Sequence, residues 1–74
     1  MKKTSPHPLE IFRQRFGYSR KALADQVGTT RMSIYRIEVR EQTPSLDMVV
    51  RLLKVARERG AALSADDFLP DGGR

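Results

Sequence analysis

The side chains of this chain best suited to chemistry are its cations, and they crowd one stretch. Arg20, Lys21, Arg31, Arg36 and Arg40 all fall between positions 20 and 40, where the only acids are Asp25 and Glu38. A guanidinium donates in a planar fork that matches the paired acceptors of a guanine edge or the oxygens of a phosphate. The bias extends beyond that stretch. Residues 1–40 hold nine Lys or Arg against three acids, a net +6, whereas residues 41–74 hold five against six, a net −1. A basic half joined to a nearly neutral half implies one face directed at a polyanion, with a solvated basic surface as the plain alternative.

Catalysis finds little footing. The single histidine, His7, lies between Pro6 and Pro8 with no nucleophile or acid beside it. Asp66, Asp67 and Asp71 fit no metal-loop spacing, and Asp67 suits a helix cap. The chain has no cysteine, which excludes disulfide scaffolds, thiolate zinc knuckles and cysteine nucleophiles. No catalytic residue, metal or cofactor is therefore expected. No apolar run approaches the roughly 18 residues of a membrane helix, and "MKKTSPHP" lacks the apolar core of a signal peptide. Cytosol is the expected compartment, and 74 residues leave room for one domain.

Positioning those cations requires helices, and the apolar spacing supplies them. Leu9, Phe12 and Phe16 share one face of a first helix that Gly17 ends, with Pro8 suited to its first position. Ser19 caps a second helix carrying Leu23, Ala24 and Val27 inward, and Gly28 stands just past its end. Thr30 caps a third, with Ile34 and Ile37 inward. Val39 to Thr43 reads as a loop, after which Pro44 or Ser45 opens a fourth helix with Leu46, Val49, Leu53 and Ala56 at core spacing. Gly60 ends it near Arg57 and Arg59, cations suited to a helix C-terminus. Ser64 and Asp67 make a capping-box pattern for a short last helix whose Phe68 and Leu69 return to the core. The fold expected is all-α, five short helices: a flexible arm over 1–8, a domain over 9–69 and a loose tail over 70–74.

Two helices joined by a short glycine-containing turn are the arrangement that places a second helix in the DNA major groove. "GYSRKALADQVGTTRMSIYRIE", Gly17 to Glu38, resembles the Gly-x-Ser-Gln…Leu-Ala…Gly…Ile…Glu pattern of the lambda-repressor-like or Cro-type helix-turn-helix proteins. The resemblance continues with a proline six residues after the glutamate, Glu38 to Pro44, followed by Ser45 and Leu46. It covers roughly Leu9 to Ala56. It implies that Thr30 to Glu38 is the recognition helix, and that Arg13 and Glu38 form a pair tying the first helix to the third. The chain departs from the pattern at Arg20, where the family favours glutamine, and at Arg40, where glycine is common. "ARERGAALSADDFLP" is also longer than the usual ending.

With that placement, Arg31, Met32 and Arg36 are the expected readers of bases in double-stranded DNA: arginine on guanine, methionine on a thymine methyl. Arg20, Lys21, Thr30, Ser33, Tyr35 and Arg40 are the expected phosphate contacts, with Arg20 and Lys21 at a helix N-terminus that already favours an anion. Local capping for Ser33 and partial burial for Tyr35 are the competing readings. Lys2 and Lys3 suit a basic arm along a groove. The function expected is a Cro-like repressor acting by operator occupancy as a homodimer through its fourth and fifth helices. The alternative is an antitoxin-type module that binds a partner protein and regulates its own operon. RNA binding is disfavoured, because stacking platforms are scarce and Phe12 and Phe16 read as buried.

Overall fold

Each helix of the fold starts at a residue whose side chain accepts a hydrogen bond from the backbone it precedes. A computed structural model of the chain describes residues 6–69, and within it the caps are His7, Ser19, Thr30 and Ser45. They open α1 (Pro8–Arg15), α2 (Arg20–Val27), α3 (Arg31–Glu38) and α4 (Leu46–Glu58) respectively. Cap distances run from 2.9 Å, for Leu9 N–H to His7 Nδ1, to 3.2 Å, for Met48 N–H to Ser45 Oγ. Each such bond satisfies an otherwise orphaned donor, and losing one typically costs about 1 kcal/mol. No strand occurs among the described residues. The architecture is all-α, as the apolar spacing predicts.

The core sits where the four helices converge. Leu9, Leu23, Ile34, Ile37 and Leu52 are fully buried at its centre, and Phe12, Ala24, Val27, Val49, Val55, Ala56 and Phe68 complete it. Ala24 is the small residue that lets α2 and α3 approach closely. Between them the chain turns at Gly28, whose φ of +75° is open to glycine at little cost. Arg51 fastens this turn from α4: its Nη1 donates to the Val27 carbonyl at 3.1 Å and its Nη2 pairs with Asp47 at 3.0 Å.

Four expectations need correction. The last helix is a 3₁₀ turn, Ala65–Phe68, because one capping contact (Ser64 N–H to the Asp67 carboxylate, 3.0 Å) closes only a single turn. Phe68 returns to the core, but Leu69 stays exposed. On α4 the inward residues are Val49, Leu52, Val55 and Ala56, while Leu46 is 78% exposed and Leu53 half-buried. Apolar residues occupy more than half the circumference of this helix, so spacing alone permits either face and docking selects one. His7, expected in an extended arm, is only 5% exposed, with its ring 5.5 Å from that of Phe68. His7 thus packs against Phe68 as the cap of α1. Lys2, Lys3 and the tail over 70–74 lie outside the described residues.

His7 carries a consequence for acid stability. Burial, and then the charge of Arg40, hold its imidazole below the ordinary 6.5, while Asp67, Glu38 and Glu10 pull the other way. Its Nδ1 lone pair is the α1 cap, which a proton would abolish. In the interval between the folded and unfolded values the unfolded chain binds more protons, so stability is complete above about pH 6.5 and falls as pH drops through the folded value. Thermal melts from pH 7 to 5 should show this loss. His7→Asn, which keeps a capping oxygen without a titratable ring, should lose less over that interval. Identical pH profiles for the two proteins would show that His7 is not responsible.

Candidate nucleic-acid interface

The outward face of α3 is built by the same periodicity that builds the core. Ile34 and Ile37 point inward, which turns Arg31, Met32, Tyr35 and Arg36 to solvent. Helical rise separates Arg31 from Arg36 by about 7.5 Å along the axis, so the two guanidinium groups lie at different levels of the face. Neither forms an ion pair among the described residues. The only acid of α3, Glu38, is turned inward and buried. The face therefore carries positive charge with no compensating carboxylate of its own.

Glu38 is the anchor beneath this face. Its carboxylate accepts from Arg13 Nε at 2.6 Å and Arg13 Nη2 at 3.3 Å, tying α1 to α3. Arg13 Nη1 meanwhile donates to the Tyr18 carbonyl at 3.1 Å, and Tyr18 OH accepts from Arg59 Nε at 2.9 Å. A third cation joins the pair, for Arg20 Nε donates to Glu38 Oε1 at 3.0 Å. Arg20 is thus engaged within the protein rather than standing free at the N-terminus of α2, and its guanidinium lies 5.2 Å from the Tyr35 ring centroid.

Of the residues singled out by the sequence, the fold brings Arg20, Lys21, Arg31, Met32 and Tyr35 around one cleft of about 520 Å³, with Ser19 and Arg13 completing its walls. Lys21 reaches Asp25 one turn along at 3.4 Å, a largely exposed pair of little strength. Thr30 and Ser33 are committed to the α3 cap: Thr30 Oγ1 accepts from Ser33 N–H and donates to Ser33 Oγ, each at 3.1 Å. Arg36 stands outside the cleft on the same helix. Arg40 lies on a separate groove with His7, Asp66 and Asp67. Its φ of +64° is the left-handed conformation that a glycine would supply, and a non-glycine residue held there typically costs about 1–2 kcal/mol. The loop after α3 keeps the shape expected of a glycine without having one.

Sequence reasoning missed Arg51 and the third member of the Glu38 cluster. The Asp47–Arg51 spacing of four was a usable signal for the first; nothing local pointed Arg20 toward Glu38.

Among the described residues no cluster of His, Asp and Glu could hold a metal ion, and no helix is long and apolar enough to cross a membrane. No curated protein and no solved structure matches the chain. The helix-turn-helix family model matches residues 9–61, a span that runs from the second residue of α1 through α4 and takes in the turn at Gly28. With a cationic outward helix on a glycine turn and a family match over most of its length, the chain belongs to the XRE-type helix-turn-helix family of DNA-binding transcription regulators.

Proposed function

We propose that this protein is a Cro-like transcriptional repressor in the cytoplasm that acts by occupying its operator as a homodimer. The observation that carries the reading is the outward face of α3, where Arg31, Met32, Tyr35 and Arg36 stand together while Glu38 faces inward. Arg31 and Arg36 read guanines and Met32 meets a thymine methyl. Lys21, Arg40 and the Ser33 hydroxyl, whose hydrogen the α3 cap leaves over, seat the phosphate backbone, with Arg20 and Tyr35 at the edge of the cleft and Thr30 kept as the cap. The dimer surface is α4, whose Leu46 and Val50, one turn apart, are 78% and 56% exposed beside half-buried Leu53. An apolar stripe of this kind on a small domain suits a second copy, and the two recognition helices would then read half-sites about 34 Å apart.

Selection of bound sites from random duplex DNA tests the reading. The parent should enrich paired half-sites containing guanine, at dimer stoichiometry. Arg31→Ala or Arg36→Ala should relax the preference at one guanine, a loss of about 1–3 kcal/mol of discrimination. Enrichment of a single asymmetric half-site by monomers would overturn the dimer. Base preferences identical to the parent in both variants would show that these arginines do not read sequence.

The α4 stripe also favours a second reading, an antitoxin-type module in which a partner protein covers Leu46 and Val50. Stoichiometric co-purification of that partner from the native host, lost in Leu46→Glu, would favour it over the repressor.

A further inference from the structure

We infer that Arg20 is a positioning residue for base readout, holding the Tyr35 ring in place through Glu38 rather than serving as a simple grip on phosphate. The inference rests on the DNA-binding reading of α3 and assigns a role to a residue where this chain departs from its family pattern. Arg20 Nε is bonded to Glu38 Oε1 at 3.0 Å, and the Glu38 side chain is 0% exposed whereas that of Arg20 is 39% exposed. One edge of the guanidinium is thus clamped to a carboxylate that Arg13 itself holds at 2.6 Å. Its centre lies 5.2 Å from the Tyr35 centroid, within the range of an attractive cation–π contact.

Tyr35 is an exposed residue with a ring able to swing, and its neighbours along the helix face are Arg31, four residues back, and Met32, three back. All three line the same cleft as Arg20. Clamping the ring fixes the wall against which Arg31 and Met32 lie before any DNA arrives. Loss of that ordering makes binding carry the side-chain entropy of Tyr35, which amounts to about a three- to tenfold loss of affinity for a site that requires the ordered face. Non-specific binding needs no such order and is spared.

Arg20→Lys in the full chain tests this, since it keeps the charge and removes the planar fork. Tyr35→Ala is the companion variant, which leaves the bonds of both arginines to Glu38 intact. In the free protein, the Tyr35 ring proton shifts should move toward random-coil values in Arg20→Lys. On DNA, the ratio of affinity for the selected duplex over random duplex should fall about three- to tenfold in each variant, with the salt slope unchanged. Combining the two substitutions should add nothing further. Unchanged Tyr35 shifts in Arg20→Lys overturn the inference. So does equal weakening on all duplexes with a salt slope lower by about one, the mark of a lost phosphate contact. If the parent shows no preference between duplexes, the DNA reading fails, and the Tyr35 shifts alone still decide whether Arg20 positions the ring.

Discussion

Glu38→Ala is expected to lower the melting temperature by more than about 12 °C. Glu38 accepts three hydrogen bonds from two guanidinium groups, at 2.6 and 3.3 Å from Arg13 and at 3.0 Å from Arg20. Truncating it leaves Arg13, whose side chain is 10% exposed, as a charge beneath α3 with only the Tyr18 carbonyl for company. Breaking a buried pair from one side typically costs about 3–5 kcal/mol. Each kcal/mol moves the melting point of a domain this small by roughly 4–8 °C. The total stability of such a domain is on the order of 3–10 kcal/mol, so the variant approaches the unfolding threshold at room temperature. Arg20, more exposed, is better screened and adds less to the loss. The double substitution Arg13→Met/Glu38→Leu should lose less than Glu38→Ala, because it removes the charge together with its partner. Thermal melts followed by circular dichroism decide the matter. An unchanged melting point in Glu38→Ala would remove the pair from the account of stability.

Two leucines of α4 should answer truncation in opposite ways. Leu52 is fully buried at the centre of the core, whereas Leu46, six residues earlier on another face of the same helix, is 78% exposed. Leu52→Ala deletes buried methyl groups and leaves a cavity, a change that typically costs about 2–5 kcal/mol. Leu46→Ala removes atoms that already meet water, so its effect in dilute protein without DNA should stay within about 0.5 kcal/mol. Denaturant titration of both variants, with unchanged slope, gives the comparison directly. Equal losses would mean that α4 docks through a different face. The same pair separates fold from the proposed dimer, under which Leu46→Ala weakens binding of a second subunit on DNA while leaving the folded monomer intact.

The contrast between these two positions shows where reading the chain succeeds. Ser19 and Thr30 are identifiable as caps because capping is a contact between residues three apart, and the rule acts wherever those residues stand. Gly28 is identifiable as the turn because the left-handed conformation excludes most other residues there. On α3 the split into an inward apolar pair and an outward cationic face follows from helical period, since Ile34 and Ile37 lie three apart on one face. That local physics was sufficient for the helical fold, the turn and the outward cationic face of α3.

The remaining features join elements distant in sequence, and there only the packed structure decides. On α4, Leu46, Val49, Val50, Leu52, Leu53, Val55 and Ala56 offer more apolar surface than one interface can bury, so the docking angle of the helix chooses Leu52 over Leu46. Arg20 reaches Glu38 across 18 positions and Arg51 reaches the Val27 carbonyl across 24. His7 becomes a buried cap because Phe68, from the other end of the described chain, closes over it. A basic residue in a sequence reads as a charge for a partner outside; whether it faces outward or serves an acid inside depends on which carboxylate the fold delivers to it. Among the described residues the fold delivers none to Arg31 and Arg36, and to Arg13 and Arg20 it delivers the same one.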